Sequence, residues 1–382
     1  MGSFWMLGKE MKIALELQPC CGNRSGIGNY TYELAKRLKD EDGLSFAGNV
    51  FNFLYRHDNR KALCGISMPV REQACMPYGI YRRIWEWLPL SYGQMFPVAD
   101  LNIFFNYIVP PKVMGKVISV VYDMTYLRYP ETMSRNNLKR LHAGIFRSIR
   151  TSDHIITISQ FSRTEIAQLM KVPKEMISVI PCAPSLAKAA VPFNRLTKKW
   201  GLRKPFMLYV GTIEPRKNLA RLIHAFLLLK KEYAIPHQLV LAGGKGWNNE
   251  EIYQSAAASP YSSDILFPGF IFDEEKNTLY QNADVFVYPS LYEGFGMPPL
   301  EAMACGCPVV CSSAAALPEI AGDSGTFVNP LDEKSIAEGV WKVLSDEDYT
   351  AEMVRRGYNQ VKNFTWEASA EKLKRLCKEV LG

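Results

Sequence analysis

Two glutamates, Glu293 and Glu301, lie on either side of a glycine-containing turn in the stretch SLYEGFGMPPLEAMACGCPVVC (residues 290–311). The two prolines inside it lack an amide donor, which suits the first turn of a helix. The free amides of Gly296 and its neighbours would then form a helix N-terminus, which carries about half a unit of positive charge and favours a phosphate. A carboxylate beside a phosphate needs hydrogen-bond donors, and ribose hydroxyls are suitable ones. The stretch therefore predicts a site for a nucleoside diphosphate with a further group attached.

Two cations precede another predicted helix. The stretch GTIEPRKNLARL (residues 211–222) places Gly211 where the chain turns and Arg216 and Lys217 just before the helix. Positive side chains oppose the helix dipole at that end, which favours a ligand phosphate over the alternative of ordinary surface charges. Together with the helix N-terminus at Gly296, the two cations give a charge of about +2.5, enough to offset a diphosphate leaving group without a divalent metal.

Both stretches lie within a repeated alternation of apolar runs and amphipathic segments. The predicted strands are 12–17, 100–106, 116–123, 154–159, 206–211, 237–244, 265–270, 284–290 and 308–313. The predicted helices are 29–40, 134–150, 162–170, 218–232, 249–258, 274–282 and 298–305. A segment rich in Ala and Pro, residues 181–194, is typical of a linker. We therefore predict an α/β protein with two Rossmann-like, doubly wound domains, residues 11–190 and 191–365, that bind a ligand in a central cleft.

Composition agrees with two domains, because 382 residues with 48% hydrophobic content can bury two cores. The net charge of +7 is uneven: residues 1–190 hold 24 Lys and Arg against 15 Asp and Glu, and the remainder holds 21 against 23. The basic half either faces an anionic partner or is a solvated surface, and no motif indicates nucleic acid. The nine cysteines lack CxxC spacing, which predicts small buried side chains and no metal site. With no signal peptide and no long apolar run, the sequence predicts a cytoplasmic protein.

The quoted stretches resemble, in the same order, the retaining glycosyltransferases of family 4, which have the two-domain GT-B fold. AGGKGW (residues 242–247) and FPGFIFDEEKNTLYQNADVFVYPSLYEGFG (residues 267–296) add to the similarity. The mark of this family is a pair of glutamates with seven residues between them, here Glu293 and Glu301. The similarity runs from about Lys12 to the C-terminus, is more distinctive in the second half, and is greatest to bacterial mannosyltransferases of polysaccharide assembly. It implies a transferase that uses a nucleotide-diphosphate sugar, with GDP-mannose as the default donor, and a glycan or lipid-linked acceptor.

The resemblance also implies roles for individual residues. The residues implied are Arg216, Lys217, Gly294, Phe295, Gly296 and Met297 at the donor diphosphate, Glu301 at the ribose, Glu293 at the transferred sugar, and Gly269, Phe270 and Ile271 at the base. In the first domain, on the acceptor side, Gly26, Ile27, Gly28 and Asn29 match a loop that closes over the phosphates, although a plain tight turn also explains that sequence. A helix over residues 366–382 would return to the first domain.

One stretch departs from the family. KVISVVYDMTYLRYPE (residues 116–131) matches a strand and loop that usually end in His-Asp, and here Asp123 is retained but Tyr122 replaces the histidine. Because that histidine often contacts the 6-hydroxyl of the donor sugar, we hypothesise that this chain accepts or prefers a 6-deoxy donor. The alternatives are that the Tyr122 hydroxyl makes the same contact, or that the alignment is shifted.

The mechanism and the partners remain open at the level of sequence. In this family, retention of the anomeric configuration of the transferred sugar is commonly assigned to front-face attack. The alternative is that Glu293 acts as a covalent nucleophile. A catalytically silent sugar-nucleotide-binding protein and a sugar-nucleotide epimerase are the rival functions. The aromatic and basic stretch at residues 78–96 is either a core helix or a contact with the inner face of the membrane.

Overall fold

The computed structural model describes residues 10–22, 26–41, 43–85, 91–187 and 189–382. The strands of the first half are β1 (Met11–Glu16), β2 (Leu44–Phe51), β3 (Val70–Gln73), β4 (Leu101–Phe104), β5 (Lys116–Val120), β6 (His154–Thr157) and β7 (Ile177–Val179). Those of the second half are β8 (Phe206–Val210), β9 (Gln238–Ala242), β10 (Ile265–Gly269), β11 (Val285–Tyr288), β12 (Val309–Ser312) and β13 (Thr326–Val328).

Helices alternate with these strands. The helices before the linker are α1 (Gly26–Arg37), α2 (Arg56–Ala62), α3 (Tyr78–Ile84), α4 (Tyr92–Met95), α5 (Thr125–Arg128), α6 (Arg135–Thr151) and α7 (Gln160–Met170). Those after it are α8 (Phe193–Trp200), α9 (Leu219–Tyr233), α10 (Glu250–Ala257), α11 (Asp273–Asn282), α12 (Met297–Ala304), α13 (Leu317–Ala321), α14 (Glu333–Ser345), α15 (Glu347–Val361) and α16 (Trp366–Leu381).

The strands form two separate sheets, ordered β3-β2-β1-β4-β5-β6-β7 and β10-β9-β8-β11-β12-β13. Neighbouring strands pair in parallel, as β1 does with β2 and β8 with β9. The prediction of two parallel-sheet α/β domains is therefore confirmed. In each sheet the order reverses beside the first strand, and ligands of open α/β sheets bind outside the carboxyl ends of the strands at such a point.

The central strands are made of apolar residues because helices cover parallel sheets. All five residues of β8 and all five of β9 are buried. The linker expected at residues 181–194 contains no helix or strand in its described part up to Pro192, but its last two residues already belong to α8. The stretch at residues 78–96, for which a core helix was one of two alternatives, contains α3 and α4, and residues 86–90 between them lie outside the described part.

The last helix, α16, crosses back to the first half of the chain. It packs against α1, where Arg37 Nε lies 2.8 Å from Glu367 Oε1. Ser369 Oγ donates to the carbonyl oxygen of Pro181 at 2.8 Å, and Lys374 pairs with Glu41. Through these contacts α16, which follows the second sheet in the sequence, packs against the helices beside the first sheet and so links the two halves of the chain.

Candidate active site

A cavity of 590 Å³ lies between the two halves of the chain. Its lining comes from both sheets: Gly26, Ile27, Tyr107, Tyr122, Asp123 and Arg140 from the first half, and Gly211, Arg216, Lys217, Trp247, Glu293, Gly294, Phe295, Gly296 and Met297 from the second. The site is therefore at the carboxyl edges of two parallel sheets.

The turn before α12 is shaped by glycines. Gly296 caps the helix with φ of +114°, a conformation that side chains disfavour, and a Cβ there would lie 2.6 Å from Leu317. A Cβ on Gly294 would lie 2.5 Å from the carbonyl oxygen of Tyr122 and 2.9 Å from Cβ of Asp123, both in the first half of the chain. Glycine at position 294 therefore lets the two halves approach closely over the cavity.

A buried ion cluster adjoins this turn. Lys217 Nζ lies 2.6 Å from Glu293 Oε1, and Arg216 Nη1 lies 2.8 Å from Glu293 Oε2. Arg216 also pairs with Glu214 at 2.7 Å, and the Tyr288 hydroxyl, 2.7 Å from Lys217 Nζ, donates to Glu293 at 3.1 Å. The predicted residues Arg216, Lys217 and Glu293 thus contact one another on the cavity wall.

The cluster changes the charge expected from the sequence. Arg216 and Lys217 are balanced by Glu214 and Glu293, so the expected surplus of about +2.5 is reduced to the partial charge of the α12 N-terminus. That sum was wrong because it counted the cations and omitted the carboxylates that the fold brings to them.

Electrostatics keep the cluster ionised. Burial raises the pKa of Glu293, but Arg216 and Lys217 outweigh burial and lower that pKa from 4.5 to about 2. Burial lowers the pKa of Arg216, but Glu293 and Glu214 raise it well above its ordinary value. Burial and the neighbouring Arg216 lower the pKa of Lys217. Glu293 is therefore a carboxylate at neutral pH and has no proton to donate.

Glu301 lies away from this cluster. Its side chain is 6% exposed, its Oε1 lies 2.9 Å from Lys276 Nζ, and its Oε2 accepts from the Tyr280 hydroxyl at 3.3 Å. Burial lowers the pKa of Lys276, but Glu301 and Asp273 raise it above its ordinary value. Burial raises the pKa of Glu301 above its ordinary value, although Lys276 and the Tyr280 hydroxyl act to lower it. The sequence analysis did not predict that Lys276 pairs with Glu301. The sequence shows only that a lysine lies in the helix after the predicted base-binding loop.

Several other predicted residues do not line the cavity. Glu301 and Gly28 are absent from its lining, as are the base-loop residues Phe270 and Ile271. Phe270 is 70% exposed and packs edge-on against Phe272 at 5.6 Å between ring centroids. Asp123 does line the cavity, and its Oδ1 accepts from the Thr125 amide at 2.9 Å.

Contacts between the two halves surround the cavity. The carboxylate of Glu319 accepts from the amides of Gln160 and Phe161 at the start of α7, at 2.8 and 2.9 Å. The Tyr292 hydroxyl donates to Glu165 at 2.8 Å and accepts from the Met124 amide at 3.1 Å. The two halves are therefore in direct contact beside the cavity.

Two negative observations concern only the described part of the chain. Among its residues, no group of three or more His, Cys, Asp or Glu side chains is arranged to hold a metal ion. No described helix is both long enough and apolar enough to cross a membrane.

Comparison with known proteins identifies the family. Residues 193–360 match the model of the glycosyl transferases group 1. O-antigen chain mannosyltransferase B of Escherichia coli is 30% identical over 374 residues, which cover 94% of this chain and 97% of that protein. Serotype-specific mannosyltransferase WbdA of Escherichia coli is 31% identical over 266 residues, which cover 68% of this chain and 33% of that protein.

Solved structures agree in fold. Sucrose-phosphate synthase from Thermosynechococcus elongatus superimposes with a TM-score of 0.73 at 20% identity, covering 97% of this chain and 99% of that one. HepE of Anabaena, in complex with UDP-glucose, gives a TM-score of 0.73 at 19% identity, covering 97% and 100%. With its two parallel sheets, its cleft and its relatives, this chain belongs to the group 1 glycosyltransferases.

Proposed function

We propose that the protein is a retaining glycosyltransferase that moves mannose, or a related hexose or 6-deoxyhexose, from a nucleoside-diphosphate donor to a glycan or lipid-linked acceptor. GDP-mannose is the default donor, and cell-surface polysaccharide synthesis is the proposed setting. The observation that carries the proposal is the buried cluster of Arg216, Lys217 and Glu293 beside the N-terminus of α12. The names of the relatives support the choice of mannose and of O-antigen-like products.

The proposed chemistry follows from the charges. In the reaction the bond from the sugar carbon to the diphosphate breaks, and a bond to the acceptor oxygen forms on the same face of the sugar. The acceptor proton goes to the leaving phosphate oxygen. Arg216 and Lys217 stabilise the departing diphosphate by exchanging part of their contact with Glu293 for contact with phosphate oxygens.

Glu293 would then accept hydrogen bonds from the sugar. Its low pKa rules out a general acid at neutral pH. Two cations within 2.8 Å also weaken it as a nucleophile, which favours front-face attack over a covalent intermediate. Glu301, paired with Lys276, remains the proposed ribose ligand, and the backbone at Phe270 and Ile271 the proposed base ligand.

We further propose that no divalent metal is needed, because Arg216 and Lys217, by exchanging part of their contact with Glu293 for phosphate oxygens, and the amides of the α12 N-terminus stabilise the departing diphosphate. Turnover that is unchanged by EDTA supports this part of the proposal. Turnover that is abolished by EDTA and restored by Mg²⁺ or Mn²⁺ contradicts it.

The test of the function is a donor panel. Purified protein is incubated with each nucleotide sugar and with short glycans or a lipid-linked glycan, and products are detected by mass. A transferase releases nucleoside diphosphate only when acceptor is present and adds the mass of one sugar to the acceptor. An epimerase changes the donor without acceptor, and a silent binding protein binds the donor without turnover.

A peripheral membrane contact is proposed on the first domain. Phe51 packs on Tyr78 and Tyr81, which brings the loop after β2 beside α3. Two kinds of exposed side chain lie there. The apolar or aromatic ones are Phe53, Leu54, Tyr55 and Ile80, and the basic ones are Arg56 and Arg83. Apolar side chains ringed by cations suit an anionic lipid surface. Sedimentation with vesicles containing anionic phospholipid, and no sedimentation with neutral vesicles, is the expected result.

A further inference from the structure

The cavity lining falls into two chemically different parts. One contains the cations and amides proposed for the donor diphosphate. The other contains apolar side chains, neutral polar side chains and one arginine, drawn from both halves of the chain: Thr132, Met133, Asn137, Arg140, Leu141 and Trp247. Nothing in the donor site requires this second part.

Trp247 is fixed at the point where the two halves meet. The preceding residue, Gly246, donates its amide to the carbonyl oxygen of Ile213 at 3.1 Å, and a Cβ on Gly246 would lie 2.7 Å from that oxygen. This close approach holds the loop after β9 against the segment after β8. The indole Nε1 of Trp247 then donates across the cleft to the carbonyl oxygen of Thr132 at 2.6 Å. One face of a large aromatic ring is thereby held on the cavity wall.

Polar groups on α6 line the same part of the cavity. Arg140 places Nη1 and Nη2 at 3.2 and 3.3 Å from Asn106 Oδ1, while its buried Nε has no hydrogen-bond partner among the described residues. Asn137 is three residues earlier on α6, on the same face of the helix, and it is exposed. The carboxyl group that interacts with the charge of Arg140 is that of Glu16, and burial raises its pKa to about 8, so it is largely protonated at neutral pH. Each Nη of Arg140 keeps a second hydrogen for a ligand, and the exposed Asn137 amide adds further polar groups, whereas the enclosed Nε is out of reach.

This combination suits a pyranose better than a simple anion. A sugar ring has an apolar face, which packs on an aromatic ring, and edge hydroxyls, which need planar donors and acceptors. Met133 and Leu141 add apolar surface to the lining of the same cavity. A phosphate would use Arg140 and leave Trp247 and these two side chains without a role.

We propose that Trp247, Asn137 and Arg140 form the binding site for the terminal sugar of the acceptor, with its ring on the indole and its hydroxyls on Asn137 and Arg140. The inference rests on the proposed function, because it gives the transferase its acceptor subsite. One wall of the subsite belongs to each half of the chain, so the subsite is complete only when the cleft is closed. Acceptor binding is then expected to follow closure around the donor nucleotide.

The kinetic test uses Trp247→Ala, Trp247→Phe and Asn137→Ala with the donor found by the panel. Loss of the aromatic surface in Trp247→Ala raises the acceptor KM about tenfold or more and leaves the donor KM within about twofold. Trp247→Phe keeps a ring but loses the bond to Thr132, so its acceptor KM rises less. The matched control is Trp341→Phe, whose ring stacks on Tyr233 at 4.4 Å, and its acceptor KM is unchanged. A Trp247→Ala enzyme with unchanged acceptor KM, or with an equal rise in donor KM, overturns the proposal.

A binding test does not depend on turnover. Methyl glycosides of the common hexoses and N-acetylhexosamines are titrated into the nucleotide-saturated protein while tryptophan emission is recorded. At least one glycoside is expected to change the emission of the wild type and of Trp341→Phe, but not of Trp247→Phe. No response to any glycoside, a response kept in Trp247→Phe, or a response to inorganic phosphate alone overturns the subsite. Absence of transfer by the wild type with every donor refutes the proposed function instead.

Discussion

Lys217 Nζ lies 2.6 Å from Glu293 Oε1, and the two residues are 8% and 7% exposed. They are far apart in the sequence and meet because β8 and β11 are neighbours in the second sheet. A buried charge is tolerated only when it is paired, so each side chain fixes the position of the other. The pair therefore presents an oriented carboxylate and an ammonium group to the cleft.

The first prediction concerns the two cations. Replacing Arg216 or Lys217 with Ala removes a charge-assisted contact that strengthens as the leaving diphosphate gains charge, so turnover at saturating donor is expected to fall about a hundredfold or more. Arg195→Ala, an exposed arginine on α8, is the control and should keep its rate. If both single variants turn over at near wild-type rates, the proposal that Arg216 and Lys217 stabilise the departing diphosphate is wrong.

The second prediction concerns pH. A carboxyl whose pKa falls from 4.5 to about 2 on folding stabilises the protein above pH 4.5, and this contribution is lost as the pH falls towards 2. Glu293→Gln removes the contribution, so the variant should be less stable at pH 7 by about 3 kcal/mol. The deficit should shrink between pH 4.5 and pH 3 in urea unfolding experiments.

Glu352→Gln is the matched control for that measurement. The pKa of Glu352 is also lowered to about 2, by Arg355 and Arg356, but these side chains lie on the surface, where water and salt screen them. A smaller, salt-sensitive deficit is expected for Glu352→Gln. Equal deficits for the two variants at high salt would show that burial of Glu293 does not matter.

The third prediction tests the close approach at Gly294. A Cβ there would lie 2.5 Å from the carbonyl oxygen of Tyr122, so Gly294→Ala should hinder cleft closure and reduce kcat/KM by about tenfold or more. A Cβ on Gly244 meets nothing within 4 Å, and Gly244→Ala should be nearly silent. Wild-type kinetics for Gly294→Ala would mean that the catalytic state is more open than this structure.

The fourth prediction concerns the donor sugar. The Tyr122 ring packs edge-on against Tyr30 and Tyr107, at 5.5 and 5.4 Å between centroids, and its buried hydroxyl lies near Thr31 without a hydrogen bond of good geometry in the described part of the chain. A hydroxyl enclosed in this way does not replace a histidine that binds a sugar hydroxyl, so 6-deoxy donors should be used within about tenfold of the matching hexoses. Strict use of the hexose, unaltered in Tyr122→Phe, would refute the hypothesis.

The site residues that directly follow predicted strands could be predicted from the sequence. Arg216, Lys217 and Gly296 follow apolar runs that became neighbouring strands, and parallel strands end at one edge of a sheet, so these residues line the same cavity. The pairing of Glu301 with Lys276 was not predictable, because it depends on how α11 packs against α12. Strand β2 was also missed, since buried Gly48 and Asn49 interrupt its apolar pattern.

Proton NMR of a reaction containing an α-linked nucleotide sugar and an acceptor glycan shows whether the protein transfers sugar with retention of the anomeric configuration. We predict that nucleoside diphosphate and glycoside appear together, that the new anomeric signal has the α configuration, and that Lys217→Ala slows the appearance of both about a hundredfold or more. A product of β configuration, or consumption of the donor without a new glycosidic bond, would contradict this prediction.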